Sequence, residues 1–303
     1  MQIKPANRRL TFFIITLIIS LSCGCAKCSE SGSPLLWKIE GKKSSYLFGT
    51  IHIPDERVLK LHSAVKDALK KVEAVFTELP MDMGTQVKMA MKSMLPDNKT
   101  LKDVLPADLY TSVEKLFKDK GLPMMAMSRF KIWAVAVQVA LIDHLKELAK
   151  QPLDMFIYAQ AQKDGKEVGG IETIDEQLSV FDSLTQAEQI TMLREALQQR
   201  QEHAKEGIDF ITQLIEIYLK GDENELMKKM MEEYDPTNPL EKKLMKRLFY
   251  DRNEIMANRI AKKIKDSPSK SFFFAVGAGH MPGPDGIVER LRKAGFKVTR
   301  LGK

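Results

Sequence analysis

Four short apolar runs each deliver one ionisable side chain just past their end, and that recurrence narrows the folds open to this chain. Tyr46–Phe48 passes through Gly49-Thr-Ile to His52, and Ala74–Thr77 stops on Glu78. Lys166 to Ile171 leads to Glu172, and Phe272–Val276 passes through Gly277-Ala-Gly to His280. Apolar runs of this length, bounded by Gly and Pro, read as strands. In an α/β sheet, ligands and chemistry collect at the carboxyl ends of the strands. The pattern therefore predicts a sheet whose strand ends meet at one polar centre, with two strands using the same Gly-x-x-His device.

The remaining segments fill out an architecture. Leu35–Gly41 reads as a strand forming a hairpin with Tyr46–Phe48, and Ser63 is positioned to cap a helix whose face is Val65, Leu69 and Val72. From Met81 onward the periodicity is helical. Pro106 opens a helix with a Leu109, Val113, Leu116, Phe117 stripe; Lys131–Leu148 forms a second; Pro152 opens a third that closes at Gly165. Thr173 begins another helix, and Thr185-x-x-Glu188 is a capping box starting a long helix to Lys220. Asp222–Glu233 continues that helix, and Leu240–Lys265 is the last long one. The chain closes with the strand Phe272–Val276, a helix Ile287–Ala294 and a strand Phe296–Leu301. The expected fold is α/β (α+β), with a small mixed sheet formed from both ends of the chain. A single domain over 35–301 then carries a helical insertion of about 82–265.

The first residues read as a targeting segment. Lys4, Arg8 and Arg9 precede the uncharged apolar run Leu10–Leu21, the length of a signal-peptide core and too short for a membrane span. All three cysteines follow it, as Cys23, Cys25 and Cys28. A small residue precedes Cys23 (Ser22) and Cys25 (Gly24), as lipid attachment requires, although neither has the customary leucine three positions earlier. Residues 1–28 are accordingly expected to be a lipoprotein signal and tether, placing the protein in a bacterial cell envelope, exported and membrane-anchored by lipid. The remaining chain has neither a disulfide framework nor a cysteine nucleophile. The formal charge of +7 falls to +4 once the three cations of the targeting segment are set aside. Without a dense basic run, this excludes a nucleic-acid partner.

Two imidazoles with one or two carboxylates suit a divalent cation such as zinc, manganese or cobalt. Gly49 and Gly277 are expected to supply backbone angles closed to other residues and a close approach to the ligand. A metal held by three protein groups with one open position activates water for hydrolysis, and a second carboxylate can serve as base. Taken singly, each residue has a plainer reading: a turn histidine, a strand-end charge, a helix cap at Thr173. The fourfold recurrence favours a site. His62, His144 and His203 lie in helical stretches and read as surface or satisfied core. Arg252-Asn253 reads, from its helix pattern alone, as solvated. The methionines crowding 81–94 and 124–127 read as gap-filling core before an adaptable groove.

Gly49-Thr-Ile-His52, Glu78, the run Ala161–Gln177, Arg252-Asn253-x-x-Met256 and Val276-Gly-Ala-Gly-His280 through Gly286 together resemble the TraB/GumN family. That family is related to the TIKI metalloproteases and more distantly to ChaN and erythromycin-esterase-like proteins. The resemblance spans about Leu35–Leu301. It implies a mixed α/β core with a helical insertion, a divalent metal on His52, Glu78 and His280, and Glu78, Glu172, Arg252 and Asn253 as catalytic residues. Lys131-Ile-Trp133 departs from the family, where a proline commonly precedes the tryptophan. The expected function is an exported metal-dependent hydrolase, a peptidase acting on peptide or protein. The alternative is a binding module that captures a ligand such as haem or a peptide without turnover. A structural role in the envelope leaves the four strand ends unexplained.

Overall fold

A computed structural model describes residues 32–144, 151–232 and 234–302. The targeting segment with Cys23, Cys25 and Cys28 lies outside the described residues, as does the end of the helix expected over Lys131–Leu148. Among the described residues six strands form one sheet: β1 (Leu36–Ile39), β2 (Ser45–Thr50), β3 (Ala74–Thr77), β4 (Glu167–Gly170), β5 (Phe272–Gly277) and β6 (Val298–Leu301). Their spatial order is β4-β3-β5-β2-β1-β6. β1 is antiparallel to β2 and to β6, whereas β2, β5, β3 and β4 run parallel. The mixed α/β class expected from the sequence is observed, with both ends of the chain in the sheet.

Among the described residues the helices of seven residues or more are α1 (Ser63–Lys71), α2 (Met83–Lys92), α3 (Ala107–Asp119), α4 (Ile132–Leu141), α5 (Leu153–Lys163) and α6 (Ile174–Asp182). They continue with α7 (Gln186–Glu206), α8 (Phe210–Lys220), α9 (Glu223–Met231), α10 (Pro239–Met245), α11 (Arg252–Asp266) and α12 (Ile287–Lys293). Every residue of β2 and β5 is buried, as befits central strands covered on both faces. The three consecutive phenylalanines Phe272, Phe273 and Phe274 are therefore all core. The span expected to be one helical insertion, about 82–265, returns once to the sheet, at β4. Among the described residues no helix is long and apolar enough to cross a membrane.

Several local expectations are corrected. The cap of α1 is His62, whose Nδ1 accepts the Ala64 N–H, not Ser63. The long helix expected from Thr185 to Lys220 divides at Gly207, whose φ of 66° is the left-handed geometry that ends a helix. The final long helix is interrupted by a π-helical segment, Lys246–Asp251, directly before Arg252. The methionine cluster is only partly core: Met83, Met91, Met94 and Met125 are exposed, Met125 by 85%. Of the other histidines, His144 faces Asp209 at 3.5 Å and His203 is buried with its ring stacked on Phe210.

Candidate functional site

Because β2, β5, β3 and β4 are parallel, their carboxyl ends share one edge. Thr50 pairs with Gly277, and Thr77 pairs with both Ala275 and Gly170. The residues following those ends are His52, His280, Glu78 and Glu172, and the structure brings all four together. Glu78 Oε1 lies 3.5 Å from His52 Nε2 and 3.9 Å from His280 Nε2. Both separations are too long for a good hydrogen bond. Among the described residues each Nε2 is buried with no hydrogen-bond partner.

The other ring nitrogens are fixed. His52 Nδ1 lies 2.8 Å from Asp154 Oδ2, and Asp154 Oδ1 accepts the Thr50 hydroxyl at 2.7 Å. His280 Nδ1 lies 2.6 Å from Asn253 Oδ1, while Asn253 Nδ2 donates to the Asp285 carbonyl at 3.0 Å. A carbonyl can only accept, so it fixes the Asn253 amide with its nitrogen toward Asp285 and its oxygen toward His280. The proton of His280 therefore sits on Nδ1, and the Nε2 lone pair points into the site. Orientation of an imidazole through its far nitrogen is the usual support of a metal-ligating histidine.

Behind Glu78 lies a second layer. Arg252 Nη2 donates to Glu78 Oε2 and Glu172 Oε2, each at 2.6 Å, and Arg252 Nε donates to Glu172 Oε1 at 3.0 Å. Gln177 Nε2 donates to Glu78 Oε2 at 2.9 Å, and the Gly277 N–H donates to Glu78 Oε1 at 2.7 Å. Arg252 and Asn253, which read as solvated from the helix pattern alone and as site residues from the family resemblance, are 3% and 4% exposed. The π-helical segment before them adds a residue to the turn, a feature found at functional sites. Burial pushes Glu78 up, but Arg252 and then His52 outweigh it and hold the carboxyl well below its usual range. Glu172 is pushed up by burial, against the pull of Arg252. His52 is opposed by burial yet raised well above its usual value by Asp154 and Glu78. His280 is lowered to about 3 by burial and by Arg252.

Among the described residues no three His, Cys, Asp or Glu side chains are gathered closely enough to count as a formed metal-ligand cluster. The donor set nonetheless fits a divalent cation on three observations. Two orphaned imidazole nitrogens flank one carboxylate oxygen. A Cβ on Gly277 would lie 3.1 Å from both Glu78 Oε1 and His52 Nε2, so a larger residue would crowd the space between them. Gly277 and Gly49 are absent from the glycines with positive φ, so close approach, not unusual backbone angles, is their role. Finally, two buried carboxylates, Glu78 and Glu172, share the single Arg252 guanidinium, and a third, Asp154, lies behind His52. With neutral imidazoles that leaves a formal excess of two negative charges, which a divalent cation offsets.

Sequence reasoning missed Asp154, Gln177 and Thr50 as site residues. Asp154 occupies the first turn of α5, where an acid reads as a complement to the helix dipole. Its burial to 1% exposure is the signal that it does more.

These features define an α/β protein with a buried histidine–carboxylate centre at the carboxyl edge of its parallel strands. The TraB/PrgY/gumN family model matches residues 35–300, and the chain belongs to that family. Metalloprotease TIKI2 of Xenopus tropicalis is 27% identical, over 91% of this chain and 61% of its own length. Metalloprotease TIKI1 of Homo sapiens is 27% identical, over 91% and 64% respectively. An uncharacterized protein of Treponema pallidum (strain Nichols) is 24% identical over 94% of this chain and 90% of its own. The chain thus spans about three-fifths of the length of the metalloproteases it matches. No solved structure is a significant match.

Proposed function

We propose that this protein is a metal-dependent hydrolase, a peptidase acting on peptide or protein, with residues 35–301 working as one unit. One observation carries the reading: two buried imidazole Nε2 atoms without partners face the same carboxylate oxygen. His52, His280 and Glu78 would hold a divalent ion, zinc, manganese or cobalt. Such an ion, when bound, supplies Lewis acidity toward an amide carbonyl and lowers the pKa of water. The chain's own residues do the rest. Asp154 and Asn253 hold the two imidazoles with Nδ1–H outward and Nε2 free. Arg252 anchors Glu78 and Glu172, and Gln177 adds a second donor, so that Glu78 presents Oε1 to the imidazoles and keeps Oε2 in the ion pair. Glu172, Arg252 and Asn253 are then positioning residues rather than groups that touch substrate. Residues 1–28 are proposed to direct export and to carry the lipid, on Cys23 or Cys25, that anchors the protein to the envelope membrane.

The test is metal content of the purified protein, repeated with His52→Ala and His280→Ala. The expected result is one equivalent of metal, lost in both variants while circular dichroism keeps the helical spectrum. No uptake of manganese, cobalt or zinc by the unaltered protein would overturn the hydrolase reading and leave a ligand-capture module in its place.

A further inference from the structure

Beside the histidines lies an open cleft with about 510 Å³ of empty space, part of it continuous with solvent. One side is lined by the Thr50–Ile53 segment, His52 included, and by the Gly277-Ala278-Gly279 turn. Its wall comes from two consecutive helices of the inserted region. α8 contributes Leu214 and Tyr218, and α9 contributes Leu226 and Met230. Each pair is spaced i, i+4, so both members lie on one helix face. The Tyr218 hydroxyl donates to the Gly49 carbonyl at 2.9 Å, which turns its polar end to the sheet and leaves the ring as lining. Met230 closes on the site itself: a Cβ on Gly279 would fall 2.7 Å from its Cε. The wall is therefore apolar, and the opposite side carries His52, whose imidazole faces Glu78.

We propose that this cleft is the subsite for an apolar side chain adjoining the bond acted on, with Leu226 and Met230 setting the selectivity. This rests on the hydrolase reading. A charged side chain lying against Leu214, Tyr218, Leu226 and Met230 would lose hydration and meet no charged group on that wall, whereas an aliphatic or aromatic one would leave water for a surface of its own kind. The preferred substrates are peptides with leucine, methionine or phenylalanine at that position. Discrimination is about 10–200-fold per methylene in pockets of this kind.

Two measurements on the protein as isolated separate the subsite from the chemistry. In the first, methionine methyl groups are ¹³C-labelled, metal is removed, and 4-methylpentanamide is titrated against acetamide. The Met230 methyl, identified by its loss in Met230→Leu, is expected to shift saturably with 4-methylpentanamide and at least about tenfold more weakly with acetamide. The exposed Met91 and Met125 methyls stay still. Leu226→Trp, which fills the cleft, abolishes the response; should that variant fail to fold, the contrast between Met230 and the exposed methionines still decides. A still Met230 methyl, or equal shifts at Met91 and Met125, overturns the proposal. In the second, metal-loaded protein receives a peptide pool varied at one position among Leu, Met, Phe, Ala, Asp and Lys. Preference for Leu, Met and Phe over Asp and Lys by about 100-fold supports the subsite. Cleavage without preference overturns the subsite and leaves the hydrolase standing. A Met230 response with no cleavage of any peptide supports the apolar cleft and overturns the hydrolase.

Discussion

The two Gly-x-x-His loops are near copies in sequence and opposites in electrostatics. His52 rests on the carboxylate of Asp154, and its pKa rises well above the usual value. His280 rests on the neutral amide of Asn253 and nearer the influence of Arg252, and its pKa drops to about 3. Both present Nε2 to the same oxygen of Glu78. A repeated motif therefore sets where an imidazole goes, while the residue behind it sets which charge the imidazole carries. In the metal-free protein the two surroundings push the rings in opposite directions, His52 toward the imidazolium and His280 toward the neutral imidazole.

The sharpest way to break that contrast is to remove the cation behind it. Arg252→Met leaves Glu78 and Glu172 buried without their common partner, and unpairing a buried charge costs about 3–5 kcal/mol. Urea unfolding of the metal-free protein should record that loss. The same change withdraws one of the three causes holding His280 low, which are burial, Arg252 and His52, so the His280 imidazole should titrate at higher pH, read by ¹⁵N shifts of the ring.

Next in size is the exchange of the supporting residues. Asp154→Asn gives His52 the neutral partner that His280 has, and loss of such an outer partner typically costs 10–100-fold in metal affinity. Asn253→Asp does the converse and should lift the His280 pKa. If metal affinity, measured by competition with a chelator, is unchanged in Asp154→Asn, the two loops do not act through their supports.

The dependence on pH follows with opposite signs. His52 is raised in the folded state, so its contribution is fully present below the unfolded value near 6.5 and is lost as pH rises toward the folded value. His280 is lowered, so between about 3 and 6.5 the unfolded chain binds a proton that the folded chain refuses, and stability rises with pH across that window. Each slope is at most about 1.4 kcal/mol per pH unit. Removing one histidine at a time should leave the slope of the other: His52→Gln flattens the alkaline limb and His280→Gln the acidic one. Metal uptake should release a proton from His52, so affinity climbs with pH.

Much of the strand edge was legible because each chemical group follows directly on an apolar run. Glu78 and Glu172 stand one or two residues past β3 and β4, and the histidines follow β2 and β5 within three. The order of strands was not legible: β5, from the far end of the chain, inserts between β2 and β3, and nothing local in Phe272–Gly277 encodes those neighbours. Asp154 was hidden because it reaches the site from a helix start 102 positions away from its partner. Arg252 and Asn253 were legible as site residues only through the family resemblance; their helix pattern alone read as solvated, and a π-helical segment stands directly before them. The methionines illustrate the same limit, since spacing cannot say that α2 leaves Met83 and Met91 uncovered.

The smallest expected effect isolates the His52 side alone. Thr50, the last residue of β2, donates its hydroxyl to Asp154 Oδ1 at 2.7 Å, while Asp154 Oδ2 holds His52. Thr50→Val keeps the shape of the side chain and removes the donor. A single hydrogen bond to a charged group contributes about 1.5–3 kcal/mol at most, and neutral ones about 1 kcal/mol. Because Asp154 keeps its contact with His52, the loss in unfolding free energy should sit near the lower figure, and metal affinity should fall less than in Asp154→Asn. His280 offers the control. Its support, Asn253, is anchored by the Asp285 carbonyl and shares nothing with Thr50. Its ring should therefore titrate unchanged in Thr50→Val, and a moving His280 resonance would mean that the two supports are coupled through Glu78 after all.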